Sequence, residues 1–343
     1  MEERYLMNAW YMAAWQEEVG EEALLARTLL EQPWLLYRTA QGDYAMIHDR
    51  CPHRFAPLSR GKRIGDVIAC GYHGLRFDRT GKCVHNPFSD RISPKAVVKS
   101  LPVVARHGIL WFWPGDPEKA DPASIPDFTI LDDPAPMVRT ASLMNAHYEL
   151  LTDNLLDLSH IEFVHEHSFQ SGGALLQGQH KGYIDNEGVV WSCWTVEDTT
   201  PPRFAAAQLA GQRVDRWTTM RWNAPSVLYL EVGATPHGVP REESPVRPLR
   251  NPHIITPSTH ASCYYFYNCI PGAESEAFAR RIFEEEDRPM LEAVQQRMGD
   301  QEFWSQQPLI LNVDAGAIHA RQQLIRLKKA EAGEGAREAP AAQ

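Results

Sequence analysis

The chain has 343 residues, and 34 Lys and Arg against 44 Asp and Glu leave a formal charge of −10, which disfavours a nucleic-acid binder. With 43% apolar residues the length suits about two packed domains. The longest apolar runs, Val103 to Ala105 and Ile109 to Trp113, fall far short of the ~20 residues of a bilayer span, so no membrane segment is expected.

The opening Met1-Glu2-Glu3-Arg4 carries acid where a secretory signal carries a basic region and a long apolar core, so a cytoplasmic protein is expected. Short strands are predicted at 34–38, 44–48, 67–70 and 108–113, separated by turns such as Gln41-Gly42-Asp43 and Thr80-Gly81-Lys82. This reads as an all-β domain over residues 1–116. Pro114 to Pro117 and the prolines at 122, 126, 134 and 136 mark a linker. Beyond it, apolar residues at 150, 151, 155, 158 and 161 predict a helix over 147–164. Strand-like runs at 189–191, 213–222, 227–232 and 263–269 follow, and then a helical pattern over 275–298. The second domain, 117–330, is therefore α+β. The tail, 331–343, is rich in Ala, Glu, Gly and Lys and is expected to be disordered.

Two motifs carry chemistry. Cys51-Pro52-His53 and Cys70-Gly71-Tyr72-His73 each follow a predicted strand. Six cysteines in the chain, some close to histidines, favour metal over disulfides in a reducing compartment. A Cys₂His₂ zinc site pairs like residues along the chain, whereas here each arm is mixed. Mixed arms suit a [2Fe-2S] centre in which one iron takes both cysteines and the other both histidines, with Gly71 and Gly74 giving the backbone room beside the sulfides. Cys83, His85, Cys193, Cys263 and Cys269 read as packing residues.

In the second motif, Asn154, Asp157, His160 and His165 lie among apolar neighbours. Two imidazoles and a carboxylate on one face of a metal form the facial triad of non-haem Fe(II) oxygenases. The i, i+5 spacing of His160 and His165 requires a wide turn or helix end to bring both rings to one ion. The third ligand is sought in the acidic run 284–287. There Asp287 aligns with Phe283, Met290, Leu291 and Val294, while Glu284 aligns with Arg280 and Arg288. A carboxylate on the apolar face needs a partner or a metal, so Asp287 is the expected ligand and Asp314 the other candidate. Pro289 predicts a kink.

Together these residues resemble the oxygenase components of Rieske non-haem iron oxygenases over about residues 8–327. The segments 8–11, 51–54 and 70–75 are similar to the vanillate and dicamba O-demethylase branch. The resemblance implies an all-β Rieske domain followed by a helix-grip (START-like) domain, and a homotrimer. It implies Cys51, His53, Cys70 and His73 on the cluster, His160, His165 and Asp287 on mononuclear Fe(II), with the Glu286-Asp287 pair matching the family's iron motif, and Asn154 and Asp157 in the catalytic site. Asp157, one turn before His160, is expected to bridge that ligand to His73 of a neighbouring subunit. Electrons would come from NAD(P)H through a separate reductase or ferredoxin, because no G-x-G-x-x-G nucleotide motif is present. The implied reaction is O₂-dependent O-demethylation of an aromatic substrate, with N-demethylation or hydroxylation as alternatives. An electron-transfer ferredoxin with a binding domain is the reading from another class, and His160, His165 and Asp287 argue against it.

Overall fold

The computed structural model describes residues 4–132, 137–169 and 171–338. The chain forms two compact units, Met1–Asp133 with Thr256–His260 and Glu331–Gln343, and Pro134–Ile255 with Ala261–Ala330.

The first unit is all-β, as its run of short apolar segments predicts. A three-stranded sheet sets Ile109–Phe112 between Tyr11–Trp15 and Val103–Arg106, and two four-stranded sheets complete it. One of these runs Leu25–Leu29, Gln32–Arg38, Tyr44–His48, Ser100–Leu101. The other runs Lys62–Ile64, Val67–Ala69, Arg76–Phe77, Cys83–His85. Leu35, Tyr37, Ile47, Leu58, Ile68 and Phe77 form a core that includes Cys51, Cys70 and Cys83.

The expected boundary at 116 falls inside this unit. The short helical turns of 117–132 are tied to it: Trp10 Nε1 donates to Asp121 O (2.9 Å), Arg106 to Pro122 O (2.9 Å), and Phe128 packs on Trp111. The prolines thus shape a packed segment instead of a free linker.

The second unit is built on a seven-stranded antiparallel sheet. Its order is Val138–Met144, Ser262–Cys269, Leu249–Thr259, Val227–Pro236, Val214–Asn223, Val190–Thr199, Gln179–Ile184. Leu249–Thr259 gave no strand signal because Pro252 and Pro257 interrupt it, yet Pro252 pairs in register with Tyr229. Proline is unusual in an interior strand.

Ser192 Oγ donates to Leu156 O (2.6 Å), so its face of the sheet looks toward the helix Tyr148–Leu156. Cross-strand register carries that face through Val190, Trp222 and Leu228 to His253.

Residues 273–298 form one continuous helical rod whose middle, Arg281–Asp287, is a π-helix. Pro289 cannot donate to the carbonyl of Glu285 and its ring crowds that group, so the kink expected at Pro289 is taken up as a wide turn just before it. The buried stripe is Ala279, Ile282, Asp287 and Leu291. The five-residue step from Ile282 to Asp287 is the π insertion.

The helix Ala315–Glu338 continues into the tail expected to be disordered, where Ala, Glu and Lys favour helix; residues 339–343 lie outside the described residues. It is anchored by Arg321, which is buried under Phe303 and bonded to Asp153 (2.6 Å from Nη2) and Glu149 (2.5 Å). Among the described residues no helix is long and apolar enough to cross a membrane. Arg321→Met leaves Asp153 without its cation and Glu149 with Lys328 alone, at 4.0 Å, so equilibrium denaturation is expected to show a loss of about 3–5 kcal/mol.

Candidate active site and metal centres

Two loops of the first unit present the cluster residues, each after a strand. They share one hydrogen-bond plan. Cys51 N donates to Ala56 O and Phe55 N to Cys51 O, both at 2.9 Å; Cys70 N donates to Leu75 O (2.8 Å) and Gly74 N to Cys70 O (2.9 Å). The fourth residue after each cysteine lies in the left-handed region, Phe55 at φ 60° and Gly74 at φ 74°. Gly74 therefore answers to this turn, and a Cβ on Gly71 would meet Arg60 O at 2.7 Å. These local reasons stand beside the expected one, room beside the sulfides.

Cys51 and Cys70 are buried, His53 is exposed and His73 half-buried, with the two rings 4.6 Å apart. Burial, helped by a hydrogen bond with Cys70, pushes the Cys51 thiol up to about 11, so a metal must displace its proton. Cysteine thus meets cysteine and ring meets ring, the pairing that a two-iron group with both cysteines on one iron and both histidines on the other would need. Cys83 and Cys263 are buried, whereas Cys193 and Cys269 are half-exposed.

In the second unit the helix expected over 147–164 stops at Leu156. Asp157 Oδ1 accepts from Ser159 N (3.0 Å) and Ser159 Oγ (2.6 Å), capping a new 3₁₀ turn, Leu158–Glu162. This break resolves the awkward i, i+5 spacing: the rings of His160 and His165 come to 5.3 Å.

His160 Nδ1 donates to Asp157 O (2.6 Å), and His165 Nδ1 donates to Glu286 Oε2 (2.8 Å). Both rings then turn Nε2 toward Asp287 Oδ1, at 3.5 and 3.3 Å. Ligand atoms of the three residues lie within 4.8 Å of one another, and Asp287 is 4% exposed. Imidazole lone pairs facing a carboxylate oxygen repel unless a cation sits among them. In the absence of metal a proton serves: burial opposes charging His165, but Asp287 and Glu286 outweigh it and raise its pKa. Two imidazoles and one carboxylate are the donor set that suits mononuclear iron.

Asn154 Nδ2 donates to Asp287 Oδ1 (3.4 Å), and its own Oδ1 is buried without a partner. The contact expected between the Asp157 carboxylate and His160 is made instead by the Asp157 main-chain carbonyl. Asp314, the alternative ligand, accepts from Leu311 N (2.6 Å) and stands outside the trio.

Two features have no role assigned to them from the sequence, although the resemblance names Glu286 in its pair with Asp287. Glu286 lies in an acidic run that reads as a solvated face. His253 is a lone histidine beside a proline. It is buried, its Nδ1 is 2.5 Å from Tyr265 Oη, Phe283 meets it edge-on at 5.6 Å, and its Nε2 has no partner. Burial lowers its pKa to about 4.

Comparison with known proteins agrees with this geometry. The Rieske [2Fe-2S] domain family matches residues 9–102, and the vanillate O-demethylase oxygenase C-terminal domain family matches residues 144–330. The chain is 37% identical to the oxygenase component of dicamba O-demethylase from Stenotrophomonas maltophilia, over 96% of this chain and 99% of that one. It is 36% identical to the oxygenase component of chloroacetanilide N-alkylformylase from Rhizorhabdus wittichii, over 95% and 97%. A crystal structure of dicamba monooxygenase bound to dicamba superposes with a TM-score of 0.85 at 36% identity, covering 96% of this chain and 99% of that one.

The chain belongs to the oxygenase components of the Rieske non-haem iron oxygenases. It is an enzyme that uses a [2Fe-2S] cluster and mononuclear iron, supplied with electrons by a reductase.

The His253 shift has a measurable sign. Its folded pKa lies below its ordinary value of 6.5, so the neutral ring stabilises the fold above about pH 6.5. That contribution, on the order of 3 kcal/mol by linkage, is lost as pH falls toward 4. Between pH 7 and pH 5 the denaturation midpoint of His253→Phe is expected to gain on that of the natural chain.

Proposed function

We propose that the chain is the terminal oxygenase of a multicomponent monooxygenase that removes the methyl group of an aryl methyl ether as formaldehyde, with His160, His165 and Asp287 holding the mononuclear iron. The observation that carries this reading is the convergence of those three residues on one point, in a chain whose relatives include an O-demethylase component. Cys51, His53, Cys70 and His73 would hold the cluster. When bound, the cluster relays single electrons and the iron activates O₂.

The reaction consumes one O₂, two electrons and two protons. One oxygen atom enters a methyl C–H bond, and the resulting hemiacetal breaks its C–O bond to give a phenol and formaldehyde. The other oxygen atom leaves as water. N-dealkylation is the second reading, favoured by the 36% identity to an N-alkylformylase component; it needs the same C–H step and a different substrate.

The chain's own residues shape where the substrate lies. Phe283, Tyr265 and Tyr267 pack edge-on or tilted against one another, with ring centroids 4.6–5.5 Å apart, and offer an aromatic wall. Tyr265 keeps its proton because burial raises its pKa well above 10. In the tautomer where it donates to His253 Nδ1, His253 Nε2 carries an N–H with no partner, which a substrate oxygen would satisfy.

Localisation in the cytoplasm and assembly as a homotrimer belong to this proposal. In the trimer, Asp157 would link His160, through its carbonyl, to His73 of the partner subunit, through its carboxylate.

Three outcomes test this reading. His160→Ala, His165→Ala and Asp287→Ala should each lose mononuclear iron and formaldehyde release while keeping the visible spectrum of the cluster; full iron and activity in Asp287→Ala would remove the assignment. His253→Phe should raise KM about tenfold, the equivalent of one hydrogen bond, with iron content unchanged. In single-turnover kinetics, pre-reduced Asp157→Asn should retain both metals but oxidise its cluster far more slowly; an unchanged rate rejects the bridge.

A further inference from the structure

The mononuclear site treats its two histidines unequally. His160 Nδ1 donates to a neutral carbonyl, that of Asp157, at 2.6 Å, whereas His165 Nδ1 donates to a carboxylate, Glu286, at 2.8 Å. Glu286 is held in turn from two sides. Its Oε2 also accepts from Ser168 Oγ (2.5 Å), three residues beyond His165, and its Oε1 accepts from Arg281 Nε (2.9 Å), at the start of the π-turn.

The consecutive residues Glu286 and Asp287 therefore grip one imidazole at opposite nitrogens, at 2.8 and 3.3 Å. Neighbouring side chains on a helical turn diverge, which lets one reach the inner edge of the ring and the other its outer edge.

We propose that Glu286 is a positioning residue for the mononuclear metal: it fixes the ring and tautomer of His165 and makes its Nε2 the stronger donor of the two imidazoles. The inference rests on the reading of His160, His165 and Asp287 as ligands. A negative charge hydrogen-bonded to the far nitrogen increases electron density on Nε2 and restrains rotation of the ring. Loss of such a partner typically lowers metal affinity 10- to 100-fold. Ser168 and Arg281 serve the same end at one remove, by keeping the carboxylate where Nδ1 meets it.

The test is anaerobic Fe(II) titration of the full chain, cluster loaded and mononuclear iron removed with a chelator, followed through the electron paramagnetic resonance signal of the ferrous nitrosyl adduct. Glu286→Gln keeps an acceptor and drops the charge, and should weaken Fe(II) binding about tenfold; Glu286→Ala drops both and should approach a hundredfold. The rhombicity of the nitrosyl signal should change in both, while cluster absorbance stays constant. Arg281→Met, an exposed substitution that leaves the fold alone, should weaken binding severalfold. This variant carries the test if the Glu286 variants do not fold. Natural affinity in the folded Glu286 variants, or in Arg281→Met, overturns the proposal. Asp287→Ala is the control: abolished binding there leaves the ligand assignment standing, whereas retained binding sinks that assignment instead.

Discussion

A carboxylate buried against two imidazole lone pairs is the constraint around which the second unit is arranged. Asp287 at 4% exposure would be costly with no cation beside it, and the surrounding backbone departs from regular helix twice to make that place. The helix that begins at Tyr148 breaks at Asp157, so that His160 and His165 converge. The rod 273–298 widens into a π-turn, so that Asp287 points inward although its neighbours Arg288 and Glu284 pair outward at 3.3 Å. Both departures are local, and each is enforced by named groups, the Asp157 cap and Pro289.

The cluster site solves a different problem with the same economy. Its cysteines belong to the hydrophobic core of the first unit, and its histidines face outward. Thiolates thus meet the drier side, where an unpaired charge would be disfavoured unless bound to metal, and imidazoles meet the side from which an electron can leave. Buried thiols and outward rings arise from a short step after a strand in each loop, two residues from Cys51 to His53 and three from Cys70 to His73.

Much of this was legible in the sequence because ligand chemistry constrains residue type more tightly than fold does. The paired Cys-x-His and Cys-x-x-His motifs and the 160/165 pair stand out in any context. Asp287 was reached by a helical-face argument that was only partly sound: Leu291 is buried as that face requires, but Met290 and Val294 are 52% and 38% exposed. The π insertion had shifted the stripe, and no 3.6-residue period could show it. Glu286 was visible only through the resemblance, in its pair with Asp287, since one carboxylate among four acidic residues has no distinguishing spacing. His253 was hidden by Pro252, which argued against a strand that tertiary pairing nevertheless enforces. The boundary near 116 was misplaced because prolines mark turns equally well in linkers and in packed segments.

The repeated turn at Cys51 and Cys70 has a consequence for how the cluster is assembled and lost. In the proposed ligand set each loop would supply a cysteine to one iron and a histidine to the other, so neither iron would belong to a single loop. Displacing either loop would remove half the ligands of both irons at once. Holding the cluster would then require both loops to be in place together. The two loops spring from separate strands of one core, so the cluster would act as a clasp between chain segments.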